Sequence, residues 1–381
     1  MRGIHLSDLH LGKRLKEFSL LEEQEDVLKQ VVAYCEQRKG SAAEIDFVII
    51  AGDIFDKGVP PVEALNLFNN FLSSLEKLGV EVFALGGNHD NGERLGFLSE
   101  FLKIHHINLV TQYGGRLEAI PLVKGQERVN FYMLPFIKPL DVRRFLPEAE
   151  RAAIVSYHDA VKYAVSKAEL NLEEVNILIA HQFITGAERC DSEEVAVGGL
   201  DNVSAEALEA FDYVALGHIH GPQYIKNHPK MRYCGTPLKY SFSECHQEKS
   251  MTLIDIADGQ VKLSTEPFKP LHDLYELRGT FADFMSSAFV NKYGEHYVHI
   301  TLTDEDEIVN VLNDMRKCYQ RLCYLTYDNS RTKTYEVGSV DVEQSPLELI
   351  SSFFGKRSGH ELSQEQKSFI ATLLEDMQED K

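Results

Sequence analysis

Five of six short apolar runs in the first two thirds of the sequence are followed within three residues by aspartate, asparagine or histidine. The runs lie at 2–7, 47–51, 80–85, 131–134, 177–180 and 213–216. They alternate with amphipathic helical stretches, a pattern typical of an α/β sandwich. Loops at the carboxyl ends of the strands in such sheets converge on one crevice. We therefore expect the polar side chains that follow the runs to meet in one site.

These polar residues form a mixed set of oxygen and nitrogen donors without a thiolate. Such a set suits borderline divalent metals such as Mn, Fe or Zn, and it disfavours an all-oxygen cage for Ca or Mg. Seven ligands are too many for one ion with an open position, so we predict two ions that share one carboxylate. One ion would be held by Asp8, His10, Asp53 and His220, and the other by Asp53, Asn88, His181 and His218.

A pair of divalent ions at these residues predicts hydrolysis of a phosphate ester. Two ions about 3.5–4 Å apart lower the pKa of a bridging water and neutralise the charge of an in-line phosphoryl transition state. We expect His89 to act as general acid or phosphate clamp, because its neighbour Asn88 brings the imidazole beside the ions. The carboxylate of Asp56 or Asp90 is predicted to orient this imidazole.

Net charge limits how the chain can meet nucleic acid. The formal net charge of -20 argues against a protein that binds DNA through a broad basic surface. A two-metal site, or a partner subunit, would supply positive charge instead. Basic residues near the predicted site either contact DNA or are solvated loop surface; they are Lys13, Arg14, Lys16, Lys57 and Arg94.

Neither a membrane segment nor a signal peptide is predicted, so we expect a cytoplasmic protein. The six cysteines are scattered without a C-x-x-C pair, which indicates free thiols rather than a zinc or redox motif. Cys318 and Cys323 are predicted to lie on different faces of one helix.

The predicted domain organisation is an α/β sandwich at 1–268 followed by two smaller domains. The sandwich would end in a hairpin, 251–256 with 261–264, that turns at Asp258 and Gly259. Strand-like pieces at 274–277, 297–302 and 322–327 alternate with helices, which predicts a small α+β domain at 271–340.

The last segment, 345–381, is predicted to be a helix-loop-helix. Ser345, Pro346 and Glu348 form an N-cap, a first-turn proline and a capping-box acid. Ser363 and Gln366 repeat the capping box before a second apolar face. These apolar faces either pack on their own domain or dock onto a partner helix.

The ordered motifs resemble the calcineurin-like metallophosphoesterase family. The motifs that carry the resemblance are Asp8-Leu9-His10, Gly52-Asp53, Gly87-Asn88-His89-Asp90, His181 and Gly217-His218-Ile219-His220. Within the family, the stretches 7–13, 52–56, 215–220 and 233–237 are similar to DNA nuclease subunits that bind a coiled-coil ATPase, and this similarity covers nearly the whole chain. One departure is Asp56, where some relatives have a second active-site histidine.

The resemblance implies a four-layer α/β/β/α sandwich, a capping domain that recognises DNA, and two manganese ions. It further implies a 3′–5′ exonuclease on double-stranded DNA ends and an endonuclease on single strands and hairpins, active in DNA repair, replication and recombination. The expected assembly is a homodimer bound to the ATPase in an ATP-dependent heterotetramer. The tail helices would then bind the root of the coiled coil.

Three alternatives stay open. The same site would serve a small-molecule phosphodiesterase or a protein phosphatase, although neither needs the capping domain or the tail. A scaffold without enzymatic activity could keep the fold, but it would have no need of open metal positions. Finally, the apolar face of the helix predicted at 62–78 belongs either to the core or to a dimer interface.

Overall fold

The structure is a computed structural model that describes residues 1–97, 99–193, 202–330, 350–351, 354 and 361–370. The chain divides into two compact units, Met1–Tyr327 and Asp328–Lys381. The first unit contains all seven predicted metal ligands.

All six predicted apolar runs are strands, so the strand prediction is confirmed. In chain order the strands are β1 (Arg2–Leu6), β2 (Arg14–Leu15), β3 (Phe18–Ser19), β4 (Phe47–Ile50), β5 (Glu81–Leu85), β6 (Ile107–Val110), β7 (Ile120–Lys124), β8 (Glu127–Leu134), β9 (Val175–His181), β10 (Tyr213–Gly217), β11 (Gln223–Ile225), β12 (His228–Tyr233), β13 (Ser250–Ala257), β14 (Gln260–Pro267), β15 (Leu274–Gly279), β16 (Tyr297–Leu302) and β17 (Arg321–Tyr327).

Helices lie in several of the connections between these strands. They are α1 (Leu21–Arg38), α2 (Val62–Leu78), α3 (Gly92–Leu95), α4 (Ser99–Ile104), α5 (Pro139–Arg143), α6 (Glu148–Arg151), α7 (Tyr157–Ser166), α8 (Phe281–Phe284), α9 (Ser287–Tyr293) and α10 (Val311–Cys318). The predicted helix 62–78 is confirmed as α2, which ends where Gly79 adopts a left-handed conformation with φ 79°.

Two six-stranded sheets make up the sandwich. The first has the order β14-β13-β1-β4-β5-β6, and the second has the order β11-β12-β10-β9-β8-β7. In the first sheet β1, β4, β5 and β6 are parallel, whereas the hairpin β13–β14 adds an antiparallel edge next to β1. In the second sheet β8, β9, β10 and β12 are parallel. The carboxyl ends of the central strands in each sheet therefore open at one edge.

Alternating side chains of these strands form three apolar layers. Phe83 of the first sheet stacks on Phe131 of the second with ring centroids 4.0 Å apart, in the core between the sheets. The opposite face of the first sheet packs on α1 and α2, and that of the second packs on α7. Because both faces of each sheet are covered, β4 and β10 are buried at every position. The four-layer α/β/β/α class is confirmed.

The hairpin and the small module that follow the sandwich also agree with their predictions. β13 and β14 turn through Asp258 and Gly259, which have φ values of 52° and 71°. The third sheet, β15-β16-β17, is parallel, and α8 to α10 cover its core of residues such as Phe284 and Ile300. The prediction for the two nearby cysteines is wrong, because α10 ends at Cys318 and Cys323 lies in β17.

The described part of the second unit includes a helical segment at 364–370. Its capping box is confirmed, since Ser363 Oγ accepts from Gln366 N at 3.2 Å and Gln366 Oε1 accepts from Ser363 N at 2.8 Å. The box predicted at Ser345 and Glu348 lies outside the described residues. The division into 1–268, 271–340 and 345–381 stays a prediction. Among the described residues, none of the helices is long and apolar enough to cross a bilayer.

Candidate metal centre

The loops that follow β1 and β4 are joined by backbone hydrogen bonds, which fixes their side chains relative to each other. Asp8 N donates to Gly52 O at 3.0 Å, and His10 N donates to Asp53 O at 3.0 Å. The second sheet contributes His181 as the last residue of β9. Two sheets therefore supply the site, and it lies where their carboxyl edges meet.

Four of the predicted ligands have a left-handed backbone. The φ values are 51° for Asp8, 44° for His10, 47° for Asp53 and 102° for His218. Non-glycine residues rarely adopt this conformation, which costs about 1–3 kcal/mol each and persists only where the surrounding structure enforces it. The sharp turns after β1, β4 and β10 aim these side chains back over the strand ends.

The first cluster at the strand ends contains Asp8, His10 and His220. One donor atom from each lies within 4.8 Å of the other two. His10 Nε2 and His220 Nε2 are 3.1 Å apart. All three residues are buried, with exposed fractions of 0%, 0% and 2%.

The second cluster contains Asp53, Asn88, His181 and His218. His181 Nε2 lies 3.3 Å from Asp53 Oδ2 and 3.1 Å from Asn88 Oδ1. His218 Nδ1 lies 2.9 Å from the same amide oxygen. Asp53 also faces the first cluster, because its Oδ2 is 3.7 Å from His10 Nε2. All seven side chains predicted from the sequence are therefore brought into one crevice, with Asp53 between the two clusters.

Two histidines are held through the ring nitrogen that points away from the clusters. His181 Nδ1 donates to Ala51 O at 2.8 Å, and His220 Nδ1 contacts Ser192 Oγ at 2.7 Å. Both contacts leave the respective Nε2 directed into the site. Metal-bound histidines in proteins are commonly fixed in this way by their second nitrogen.

Burial and close charges shift the acid–base equilibria of this site. Burial raises the pKa of Asp8 to about 7, although His181 opposes the rise. Burial also acts to raise the pKa of Asp53, but the charge and hydrogen bond of His181 outweigh it and hold that pKa well below the usual range. Burial lowers the pKa of His10 and of His218 to about 3. The imidazoles of His10 and His218 are therefore neutral near pH 7 and keep a lone pair for a ligand bond.

The residues present fit divalent cations. Among the described residues no hydrogen-bond partner contacts the buried His10 Nδ1, and the Nε2 atoms of His10 and His220 face each other at 3.1 Å. Two carboxylates, one amide oxygen and four imidazoles form a donor set that suits borderline metals. Such a set is costly to bury unless a cation compensates it.

His89 lies beside the clusters and is held by two contacts that involve the main chain. Its N donates to Asp53 Oδ1 at 2.9 Å, and its Nδ1 donates to Asp56 O at 3.0 Å. Its Nε2 is 4.0 Å from Asp53 Oδ2, and the ring packs edge-on against His10 with centroids 4.8 Å apart. The imidazole is only partly buried, so it can face a ligand that enters the crevice.

Among the described residues, His89 Nδ1 is oriented by a main-chain oxygen and by neither of the two predicted carboxylates. The Asp56 carboxylate accepts from Lys13 Nζ at 2.8 Å instead. The Asp90 carboxylate accepts from the backbone N–H groups of Ile54, Phe55 and Gly87 at 2.9–3.0 Å. Asp90 therefore ties the loop after β4 to the loop after β5.

Four residues around His220 were not predicted. Ser192 and Glu193 contact its ring and its backbone N, and Lys249 donates to its carbonyl oxygen and to Glu244. Glu244 and Lys249 are buried charged residues, and their pairing depends on the fold. The Gly235-Thr236-Pro237 stretch just before this loop was the available sequence signal.

The basic loop residues make mixed contacts. Lys16 Nζ lies 4.3 Å from the centroid of the Tyr324 ring, and Lys57 and Arg94 are exposed. Lys13, bound to Asp56, is close to the crevice. Whether these residues contact DNA or are solvated loop surface stays open.

The calcineurin-like phosphoesterase family model matches residues 1–222, which include every residue of the two clusters. The chain belongs to this family. Membership implies divalent metal ions, which the donor set fits.

Over its whole length the chain is similar to a particular member, the SbcD component of the nuclease SbcCD of Staphylococcus epidermidis. The two are 30% identical over 383 residues, and the alignment covers 98% of each chain. Two solved structures also align. A novel archaeal phosphodiesterase is 12% identical over 70% of this chain and 100% of its own, with a TM-score of 0.28. The phosphopantetheinyl hydrolase of Mycobacterium tuberculosis is 15% identical over 62% and 89%, with a TM-score of 0.35.

Proposed function

We propose that the chain is a metal-dependent DNA nuclease that hydrolyses phosphodiester bonds as the SbcD-type component of an SbcCD-like complex. The observation that carries the proposal is the meeting of seven metal-ligand side chains in one buried crevice. The similarity to the SbcD component of a nuclease over 98% of both chains supports DNA as the substrate.

The proposed metal centre holds two divalent ions, with manganese as the preferred metal. Asp8, His10 and His220 would hold one ion, Asn88, His181 and His218 would hold the other, and Asp53 would bridge them. When bound, the ions supply an activated water and positive charge for the phosphoryl group. About four positive charges against two carboxylates leave the site near +2, which attracts a phosphodiester despite the acidic chain.

His89 is the proposed general acid. Because a carbonyl oxygen only accepts, the Asp56 O contact requires a proton on His89 Nδ1. A second proton, on Nε2, can then pass to the departing deoxyribose oxygen. Such proton transfer contributes about a hundredfold to ten-thousandfold in rate. We assign Asp56 a positioning task, since its carbonyl orients the ring while its carboxylate anchors Lys13 beside the crevice.

The proposed activity is that of a 3′–5′ exonuclease on double-stranded ends and an endonuclease on single strands and hairpins. The proposed assembly is a homodimer bound to an SbcC-type coiled-coil ATPase that makes cleavage ATP-dependent. The domain at 271–340 would recognise DNA, and 345–381 would bind the ATPase. An acidic chain of this kind depends on its metals and its partner for DNA affinity.

A nuclease assay with labelled duplex and hairpin DNA tests the function, with Mn, Mg or Zn and with or without a coexpressed ATPase. We expect Mn-dependent cleavage and poor turnover of a generic aryl phosphate ester. The reverse preference would favour a small-molecule phosphodiesterase or phosphatase. Equal end cleavage by the ATPase alone would favour a scaffold.

The variant His89→Gln tests the general acid. We expect it to bind Mn like the wild type but to lose about a hundredfold or more in cleavage rate, because the amide cannot donate an acidic proton. Calorimetric titration with Mn and single-turnover cleavage measure the two effects separately. The control His105→Gln changes an exposed histidine just after α4 and should keep full activity. Full activity of His89→Gln would rule out the assigned role.

A further inference from the structure

A chain of buried hydrogen bonds runs from the His220 ring to an ion pair that the proposed mechanism does not use. His220 Nδ1 lies 2.7 Å from Ser192 Oγ, and Ser192 Oγ lies 2.6 Å from Glu244 Oε1. The other carboxylate oxygen, Glu244 Oε2, lies 2.5 Å from Lys249 Nζ. Glu244 is fully buried and Lys249 is 6% exposed. Burying such a pair is costly, so a specific task is expected of it.

The Lys249–Glu244 ion pair at the end of these hydrogen bonds determines which atom donates each proton. The Lys249 ammonium has donors only, so the Glu244 carboxylate must accept from it. The same carboxylate accepts the single hydroxyl proton of Ser192. Ser192 Oγ can then only accept from His220, which places the ring proton on Nδ1. In a neutral imidazole this leaves the lone pair on Nε2, the atom that lies 3.1 Å from His10 Nε2.

We propose that Ser192, Glu244 and Lys249 are positioning residues that set the Nδ1–H tautomer of His220 and thereby present its Nε2 to a metal ion. The inference rests on the proposed function, because it deepens the assignment of His220 as a ligand.

The backbone of His220 is held by the same group of residues. Lys249 Nζ donates to His220 O at 2.9 Å, and Thr236 N donates to that oxygen at 3.0 Å. His220 N donates to Glu193 Oε1 at 2.6 Å. Gly235 has φ +80°, and a Cβ there would lie 2.6 Å from His220 O. The stretch 233–237, which is one of those that carry the family resemblance, therefore helps to hold the backbone of His220 in place.

His181 has an acceptor for its Nδ1 without any side chain. Its Nδ1 donates to Ala51 O, a main-chain oxygen that no substitution can remove. At His220 the acceptor is the side chain of Ser192, so the effect of this contact on the tautomer can be tested by mutation.

The first test compares wild-type protein with Ser192→Ala. Nitrogen-15 NMR of the metal-free, full-length protein, labelled at histidine and assigned with a His220→Gln sample, reports which ring nitrogen carries the proton. We expect Nδ1–H in the wild type and a mixture of tautomers in Ser192→Ala. Calorimetric Mn titration should show a loss of affinity of about 10- to 100-fold at the site that His220 would complete. Ser192→Thr, which keeps the hydroxyl, should restore both readouts.

Glu244→Gln is the more decisive variant, because it reverses the donor and acceptor roles in the hydrogen bonds that link residue 244 to His220 through Ser192. Its amide oxygen will face Lys249 and its NH₂ group will face Ser192, which then donates its proton to His220 Nδ1. We expect the Nε2–H tautomer, with the fold checked by circular dichroism. The control Ser243→Ala removes a neighbouring hydroxyl that contacts Asp191 N and Ser241 but not His220, and it should match the wild type.

Two outcomes overturn the inference: an Nε2–H tautomer in the wild type, or wild-type tautomer and Mn affinity in Ser192→Ala. Failure of the proposed function can be distinguished from failure of this inference. Suppose that the wild type bound no Mn and cleaved no DNA, while Ser192→Ala still changed the tautomer. The nuclease assignment would then be wrong, but the role of Ser192 in setting the His220 tautomer would be supported.

Discussion

His5 is a buried imidazole that links the two sheets of the sandwich. Its Nδ1, on β1, lies 2.8 Å from the Tyr213 hydroxyl oxygen on β10, and both side chains are fully buried. Burial, reinforced by Arg232, lowers the pKa of His5 to about 3. Histidine in an unfolded chain has a pKa of about 6.5. Between these two pH values the unfolded chain therefore binds a proton that the folded chain does not.

The stability that His5 contributes should be complete above about pH 6.5 and should decline as the pH falls towards 3. We predict a slope from His5 alone of up to about 1.4 kcal/mol of unfolding free energy per pH unit. The paired change His5→Leu with Tyr213→Phe should remove this slope in urea denaturation between about pH 4.5 and 6.5. Tyr213→Phe alone keeps the imidazole and should keep the slope. Identical slopes in wild type and paired variant would contradict the prediction.

The positions of the seven proposed ligands could be predicted from the sequence, because each lies at or just after the end of a strand and carries a donor that metals prefer. The contacts behind them could not. Ser192 and Glu244 are 52 positions apart and meet only in the folded chain. Asp90 was expected to orient His89, yet its carboxylate binds three backbone N–H groups whose directions are set by the loop turns. Side-chain partners inside loops depend on turn geometry, which residue type alone does not specify.

At the scale of elements, the two sheets approach each other closely at the end of β10. A Cβ on Gly217 would lie 1.9 Å from Ala51 O and 2.9 Å from His181 Nδ1. We predict that Gly217→Ala separates the strand ends, destabilises the protein by about 1–3 kcal/mol and weakens Mn binding, because His181 loses its acceptor. Urea denaturation and Mn titration measure the two effects.

Gly114→Ala is the matched control for that change. A Cβ at Gly114 meets nothing within 4 Å, so stability should stay within about 0.5 kcal/mol of the wild type. If both alanine variants had wild-type stability and Mn affinity, the close approach of the strand ends would not be required for the site.

Element positions were predictable to within a few residues because apolar periodicity determines them, and α2 and β16 agree at both ends. Strand order was not predictable in the same way. β1 lies between β4 and β13, a neighbour about 250 positions away that only tertiary packing selects. The helix expected across Cys318 and Cys323 was wrong, because Cys323 lies in β17, within the stretch 322–327 that the apolar pattern itself predicts as a strand.

At the scale of the whole molecule, the exposed end of α2 suggests how two copies would associate. The inner face of α2, with Phe68 and Leu75, packs in the core, which accounts for most of its apolar pattern. The outer residues Val59, Val62 and Leu65 are nevertheless 67%, 65% and 46% exposed. Neighbouring apolar side chains at this exposure are typical of a surface that a partner covers.

The proposed homodimer can be tested at this surface. We predict that Val62→Lys with Leu65→Lys converts a dimer into a monomer, because buried ammonium groups of like charge oppose association across a symmetric interface. Light scattering after size exclusion measures the mass, and Mn titration should show an intact metal centre. Leu172→Lys, at a position that is 81% exposed, is the control and should stay dimeric. If the wild type were monomeric, the free chain would not form the proposed homodimer. If the double variant stayed dimeric, the dimer interface would lie on another surface.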